Sequence, residues 1–191
     1  MSLFEYLGVL ISVVMGLGIT HLLTGISKVI QHRKTVRIYW VHVLWTVNIL
    51  LYIIVIWWGL FWWSKLPEWS FFEFLFVTLY AIALFLLAAL LYPWDIPLDF
   101  DFQRYFLENR AWFFGLQAIA WCIDIPETVL KAGMGLRDLP EGYVFFVSIL
   151  LTLSVVGAFT RSRRFHGFFA VFWLCALLAY LGTTTLARIA A

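Results

Sequence analysis

The sequence predicts an all-α polytopic membrane bundle of six transmembrane helices, with a short interfacial helix in the third loop. Three observations predict it. The 191 residues are 64% hydrophobic and only 13% charged, with a mean hydropathy of +0.94, whereas soluble domains average about 45–50% apolar and about 25% charged residues. Five runs of 19 or more residues (6–27, 38–64, 74–94, 142–160 and 165–187) hold no Asp, Glu, Lys or Arg, and about 20 helical residues cross a hydrocarbon core. A sixth stretch, 111–131, has the same length but carries Asp124 and Glu127. The predicted spans are therefore about 4–30, 37–63, 71–92, 111–131, 141–160 and 166–188, in one transmembrane domain with no soluble domain.

The first five residues, MSLFE, lack a basic n-region, so the first span is expected to stay in the mature chain and not to act as a cleaved signal. Nine basic residues (Lys28, Arg33, Lys34, Arg37, Arg104, Arg110, Arg161, Arg163, Arg164) fall near the first, third and fifth loops, against four (Lys65, Lys131, Arg137, Arg188) on the other side. Lys/Arg excess marks a cytoplasmic face. That predicts both termini outside and residence in a bacterial inner membrane.

Span 1 contains MGLGITHLLTG at 15–25. It resembles the start of a dinucleotide-binding glycine loop, but His21 stands where the third glycine should be. The stretch is also mid-span, where a helix interior has no free N–H groups for a phosphate. Gly8, Ser12, Gly16, Thr20 and Thr24 recur every four residues. Small residues at that spacing let membrane helices approach closely, so span 1 is expected to be central, with Gly18 and Gly25 widening the thin zone. Span 5, with Ser148, Thr152, Ser154, Gly157 and Ala158, is its expected neighbour within the chain or across a subunit interface.

Span 2 carries His42, with Thr46 one turn on and Asn48 deeper. Counted from the first loop, His42 lies at a depth similar to His21. WWGLFWW at 57–63, with Trp69 beyond, reads as an aromatic belt at the headgroup level. Glu5 and Glu73 open spans 1 and 3. Pro93 and Pro97 end span 3, and Phe102, Tyr105 and Phe106 then recur at helical spacing between charges, which predicts the interfacial helix. Cys122 and Cys175 fall inside spans, far from any metal or redox spacing, and are expected to be buried hydrophobes.

Span 4 holds WCIDIPETVLK at 121–131. Asp124 and Glu127 share a face, Glu127 precedes Lys131 by four residues in the favourable order, and Pro126 is expected to kink the helix. Gln117, Trp121 and Thr128 extend the polar stripe. Lys131, Lys65 and Arg188 are the expected partners if these acids only staple span ends together. Asp138–Glu141 is expected to cap span 5. Arg161–Arg164 is a topology signal first and an anionic-lipid contact second.

Ionisable residues within spans are scarce and tend to be functional. The leading expectation is a homo-oligomeric channel or permease for protons or small cations. Asp124, Glu127 and Glu73 would form its outer part, His21 and His42 its inner part, and Asn48 and Gln117 would lie between. One alternative is a b-type haem held between His21 and His42, with Arg33 or Arg37 near its propionates. Another is a non-catalytic scaffold or sensor in a larger membrane complex. Nothing in the sequence resembles a nucleophile–base pair, a nucleotide loop or a metal-ligand cluster, so neither a metal site nor a nucleic-acid partner is expected. An enzyme is the less favoured class, with a lipid-modifying enzyme left open because carboxylates and histidines near an interface can do acid–base work. The expected partners are the lipid bilayer, a second copy or another membrane protein.

Overall fold

The computed structural model describes residues 3–189, with side chains described through residue 182. Six helices follow in order: α1 (Leu3–Gln31), α2 (Trp40–Gly59), α3 (Phe71–Ala89), α4 (Phe102–Gly133), α5 (Tyr143–Phe159) and α6 (Arg163–Ile189), with a 3-10 turn at Leu60–Lys65 continuing α2. Among the described residues there is no strand, only an isolated bridge between Arg37 and Asp101. Five helices are long and apolar enough to cross a membrane, whereas α5 has 17 residues. The chain is thus a helical membrane protein by length and composition.

The third loop differs from expectation. No separate interfacial helix forms at Phe102–Phe106; these residues are the first turns of α4, which runs unbroken for 32 residues. Asp101 makes this possible, because its Oδ1 accepts from Gln103 N at 2.9 Å and Arg104 N at 3.0 Å and so starts the helix nine residues before the predicted span. Phe102 and Phe106 face the core, at 1% and 3% exposed, which holds the extension against the bundle. The preceding loop is pinned to the α1–α2 connection by Arg37 N donating to the Phe100 carbonyl at 2.8 Å and Phe102 N to the Arg37 carbonyl at 3.1 Å. Pro126 lies inside α4, and the helix continues past it.

At the other end of α4, Gly135 adopts φ +66. Leu136 N then reaches the Lys131 carbonyl at 2.9 Å and Gly135 N the Ala132 carbonyl at 3.0 Å, the pair of bonds that closes a Schellman turn. Asp138 does not cap α5. That helix starts five residues later, from Gly142 at φ +70 with no side-chain cap, because a left-handed residue can end the turn itself.

α2 and α4 form the middle of the bundle, with α1 and α3 on one side and α5 and α6 on the other. Span 1 is therefore peripheral. It packs chiefly on α3, while α5 packs chiefly on α4, so the expected pairing of spans 1 and 5 does not occur within the chain. The helix period explains the error. At about 100° per residue, a stripe repeated every four residues rotates by about 40° at each step. Gly8, Ser12 and Gly16 begin half-buried, and Thr20 and Thr24 end exposed. The face that stays buried is Leu7, Ile11, Met15, Gly18, Leu22 and Gly25, spaced four-four-three-four-three, as a helix seam requires. A Cβ on Gly25 would lie 2.3 Å from the Tyr92 ring, whereas one on Gly8 or Gly16 would meet nothing within 4 Å. On α5 the close contact is Gly157, where a Cβ would lie 3.1 Å from Phe114.

Cys122 and Cys175 are free thiols on outward faces of α4 and α6, not in the core. Both lie on the apolar exterior, where a small thiol needs no partner.

Gly25→Ala should destabilise the protein by about 1–3 kcal/mol, the usual cost of overpacking, while Gly16→Ala should be neutral or stabilising by up to about 1 kcal/mol. Reversible denaturation in mixed micelles measures both. An equal loss at Gly16 would show that the open stripe is packed.

Candidate functional site

The interior polar groups fall into three layers along α2 and α4. The first lies towards the C-terminal end of α4. Asp124 and Glu127 are 6% and 5% exposed, and Lys131 3%. Glu127 and Lys131 form the expected pair, with Oε1 and Nζ 2.5 Å apart. Trp63 Nε1 donates to the same Glu127 oxygen at 2.8 Å, and Lys131 Nζ donates to the Gly59 carbonyl at 2.8 Å, where α2 tightens into its 3-10 turn. A buried ion pair is tolerable when further hydrogen bonds satisfy both charges, and here each has one.

Asp124 is held differently. Tyr80 from α3 donates to Oδ1 at 2.6 Å, and Tyr143 from α5 donates to Oδ2 and, at 3.2 Å, to the Asp124 carbonyl. The Tyr52 and Tyr80 hydroxyls are 2.9 Å apart. Because the single Tyr80 proton points to Asp124, Tyr52 must be the donor in that pair. The result is a directed chain from Tyr52 through Tyr80 to the carboxylate, contributed by α2, α3 and α4.

The second layer is aromatic with amides inside it. Trp45 packs edge-on against Phe113 (5.3 Å between centroids) and Phe169 (5.2 Å), and Tyr52 edge-on against Trp173 (5.5 Å) and tilted against Trp121 (5.1 Å). Asn48 lies between Trp45 and Tyr52 on α2, and Gln117 between Phe113 and Trp121 on α4, so the register places the two amides at one level. Both are 0% exposed. Asn48 Nδ2 donates to the Ala170 carbonyl at 2.9 Å. Asn48 Oδ1, both polar atoms of Gln117 and the indole N–H groups of Trp45, Trp121 and Trp173 have no protein partner. Buried unpaired polar atoms are costly, and such groups concentrate where a site needs them.

The third layer contains the histidines. His42 Nε2 is 2.6 Å from the Leu91 carbonyl and His21 Nε2 is 3.1 Å from the Tyr92 carbonyl. Thr46 links in through the Tyr92 hydroxyl at 3.0 Å. Sequence reasoning placed the two imidazoles at one level, and the structure does so by binding them to consecutive carbonyls just beyond α3. Each carbonyl engages Nε2, so ligation of one iron by both residues would have to use the two Nδ1 atoms.

The remaining acids do not join the first layer. Glu73 closes a capping box at the start of α3, with Ser70 N donating to Oε2 at 2.9 Å and the Ser70 hydroxyl donating to the same oxygen. Glu5 is exposed on the first turn of α1. Lys65 sits over the Trp62 ring at 4.3 Å, and the Arg188 side chain lies outside the described residues. The aromatic belt is also divided. Trp57, Trp58 and Phe61 are exposed, while Trp63 is fully buried and serves Glu127. Among the described residues no three His, Cys, Asp or Glu side chains cluster as metal ligands.

The site residues missed in the sequence are Tyr52, Tyr80, Tyr143 and Trp63. The first two carried a signal, because a hydroxyl inside an uncharged 20-residue run must find a partner there.

Fold and site together define a helical membrane protein with a polar interior built on α2 and α4. No protein-family model, curated protein or solved structure matches the chain, so the chemistry of these layers is the only guide to what it does.

Lys131→Met should cost about 3–5 kcal/mol by leaving Glu127 buried and unpaired. Combining it with Glu127→Gln should restore a substantial part. A double-mutant denaturation cycle in micelles reads the coupling; additive losses would show that the two groups do not depend on each other.

Proposed function

We propose that this protein is a proton-conducting permease of a bacterial inner membrane. In this reading all six helices cross the bilayer, both termini lie outside, and the basic loops face the cytoplasm. The single observation that carries it is the directed hydroxyl chain from Tyr52 through Tyr80 to Asp124. Asp124 is the group that gains and loses the proton. Tyr80 gives its proton to Asp124 as it accepts one from Tyr52, and a water molecule entering the polar column returns a proton to Tyr52 in the same step, so no phenolate accumulates. Asn48 Oδ1 and the unpaired amide of Gln117 extend the polar column towards Thr46 and His42.

A proton suits this geometry better than the small metal cations also considered from sequence. Both Asp124 oxygens already accept from phenols, and hydroxyl donors oppose a cation where they favour proton exchange. Glu127 is taken up by Lys131 and Trp63. A second reading, a scaffold within a membrane complex or a self-associating bundle, is favoured by the open small-residue stripe on α1, where Gly8 and Gly16 face empty space.

Purified protein in liposomes containing a pH-sensitive dye, driven by a potassium diffusion potential, should acidify or alkalinise the lumen faster than protein-free liposomes. Asp124→Asn should lower that rate at least tenfold, and Tyr80→Phe by a smaller factor. Wild-type flux equal to the protein-free control, or flux unchanged in Asp124→Asn, would refute the proposal. A stoichiometric co-purifying membrane partner together with no flux would favour the scaffold.

A further inference from the structure

The N-termini of α2, α4 and α6 lie on the basic face of the bundle. A helix N-terminus carries partial positive charge and unpaired N–H groups, so its ordinary neighbour is an acid. α4 has one in Asp101. α2 does not: its N-cap is Tyr39, without a side-chain bond, and its first turn has no acid. α6 reverses the rule. Its first turn has no acid and begins Arg163-Arg164.

These two N-termini adjoin. The Trp40 indole packs on Gly167 so closely that a Cβ there would lie 2.9 Å from the ring. With the Gln103 amide oxygen turned towards it, Arg163 donates to Gln103 at 2.8 Å through Nη2 and 3.0 Å through Nε, which fixes one guanidinium beside the start of α4. Arg37, Arg163 and Arg164 are all exposed. Among the described residues none forms an ion pair with an acidic side chain; Arg104–Glu108, at 2.8 Å, keeps the nearby glutamate occupied. Trp40 is 57% and Ile38 55% exposed on the same rim. At α6 the Ser162 hydroxyl caps only Phe165 N, at 3.4 Å, so positive charge at the uncapped start of α2 and the basic start of α6 meets an apolar and aromatic edge at the end of membrane-length helices.

We propose that the surface formed by Arg37, Trp40, Arg163 and Arg164 binds the headgroup of an anionic phospholipid. The phosphate would lie between the guanidinium groups and the first N–H groups of α6, at Arg163 and Arg164, and the glycerol and upper acyl chain against Trp40 and Ile38. A lipid suits this surface because it supplies both halves of the complement, the anion and the apolar chain below it. A guanidinium at an anionic membrane surface contributes about 1 kcal/mol, or about fivefold in affinity.

The test is lipid retention by the full-length protein, measured by native mass spectrometry after equilibration with equal amounts of phosphatidylglycerol and phosphatidylcholine in micelles. The wild type should retain phosphatidylglycerol selectively, and inorganic phosphate should not displace it. The Arg163→Gln/Arg164→Gln double variant should lose most of that selectivity, by about 30-fold. Arg33→Gln/Lys34→Gln removes the same charge from the α1–α2 loop and should retain it. Thermal unfolding should shift little in either variant, since all four side chains are exposed and Arg163→Gln loses only the surface bonds to Gln103. An unselective wild type, displacement by phosphate, or equal loss in both variants would overturn the proposal.

Discussion

A helix that ends inside an apolar bundle leaves carbonyl groups that lipid cannot satisfy, and the end of α3 is the point on which this bundle depends. Four carbonyls there, from Leu90, Leu91, Tyr92 and Trp94, receive side-chain bonds from Tyr105, His42, His21 and Lys28 respectively. The donors come from α4, α2 and, twice, α1. One helix end therefore sets the relative height of three other helices, and the seam between α1 and α3 is built around the same place. Gly25 exists as glycine because Tyr92, one of those four residues, occupies the space its Cβ would need.

The same rule operates at the opposite end. Lys131 satisfies the Gly59 carbonyl where α2 changes its winding, and that fixes Glu127 and through it Trp63. Both ends of α2 are thereby tied to their neighbours by buried side chains, His42 at its start and the Gly59 carbonyl at its close. Its middle is left to aromatic packing around Trp45 and Tyr52. A helix held at both ends and lined with rings between them presents its few polar groups in fixed positions, which a hydrogen-bonded chain across three helices requires.

What was legible in the sequence follows from which signals are one-dimensional. Long uncharged runs gave the helices, and the Glu127–Lys131 spacing gave an ion pair, because both depend on one helix alone. The start of α4 was misjudged by nine residues because charge was read as loop, although Asp101 is a cap and the charges beyond it project outward from a helix. The small-residue stripe of α1 was misread for a geometric reason: period four departs from 3.6, and the buried seam was the less conspicuous series containing Gly18 and Gly25. The tyrosines went unremarked because a phenol in an apolar run looks like another aromatic until a second helix supplies the carboxylate. His21 and His42 were placed at one level from loop length, but their partners are backbone atoms, which carry no residue-specific signal.

Two carboxyl groups three residues apart on one helix have been given different surroundings, and the difference bears on function. Glu127 is engaged by a cation, Lys131, and by the indole N–H of Trp63. Asp124 has phenolic hydroxyls, which can donate to a carboxylate and, after rotation, accept from a carboxylic acid. Either protonation state of Asp124 can therefore be fully hydrogen-bonded without moving the backbone, whereas protonating Glu127 would strand Lys131 in the core. A bundle that merely needed a buried polar staple would gain nothing from the second arrangement. On the proposed proton-conducting reading, these hydroxyl neighbours suit Asp124 to change charge inside a membrane, while the neighbouring carboxylate is taken up by its ion pair with Lys131.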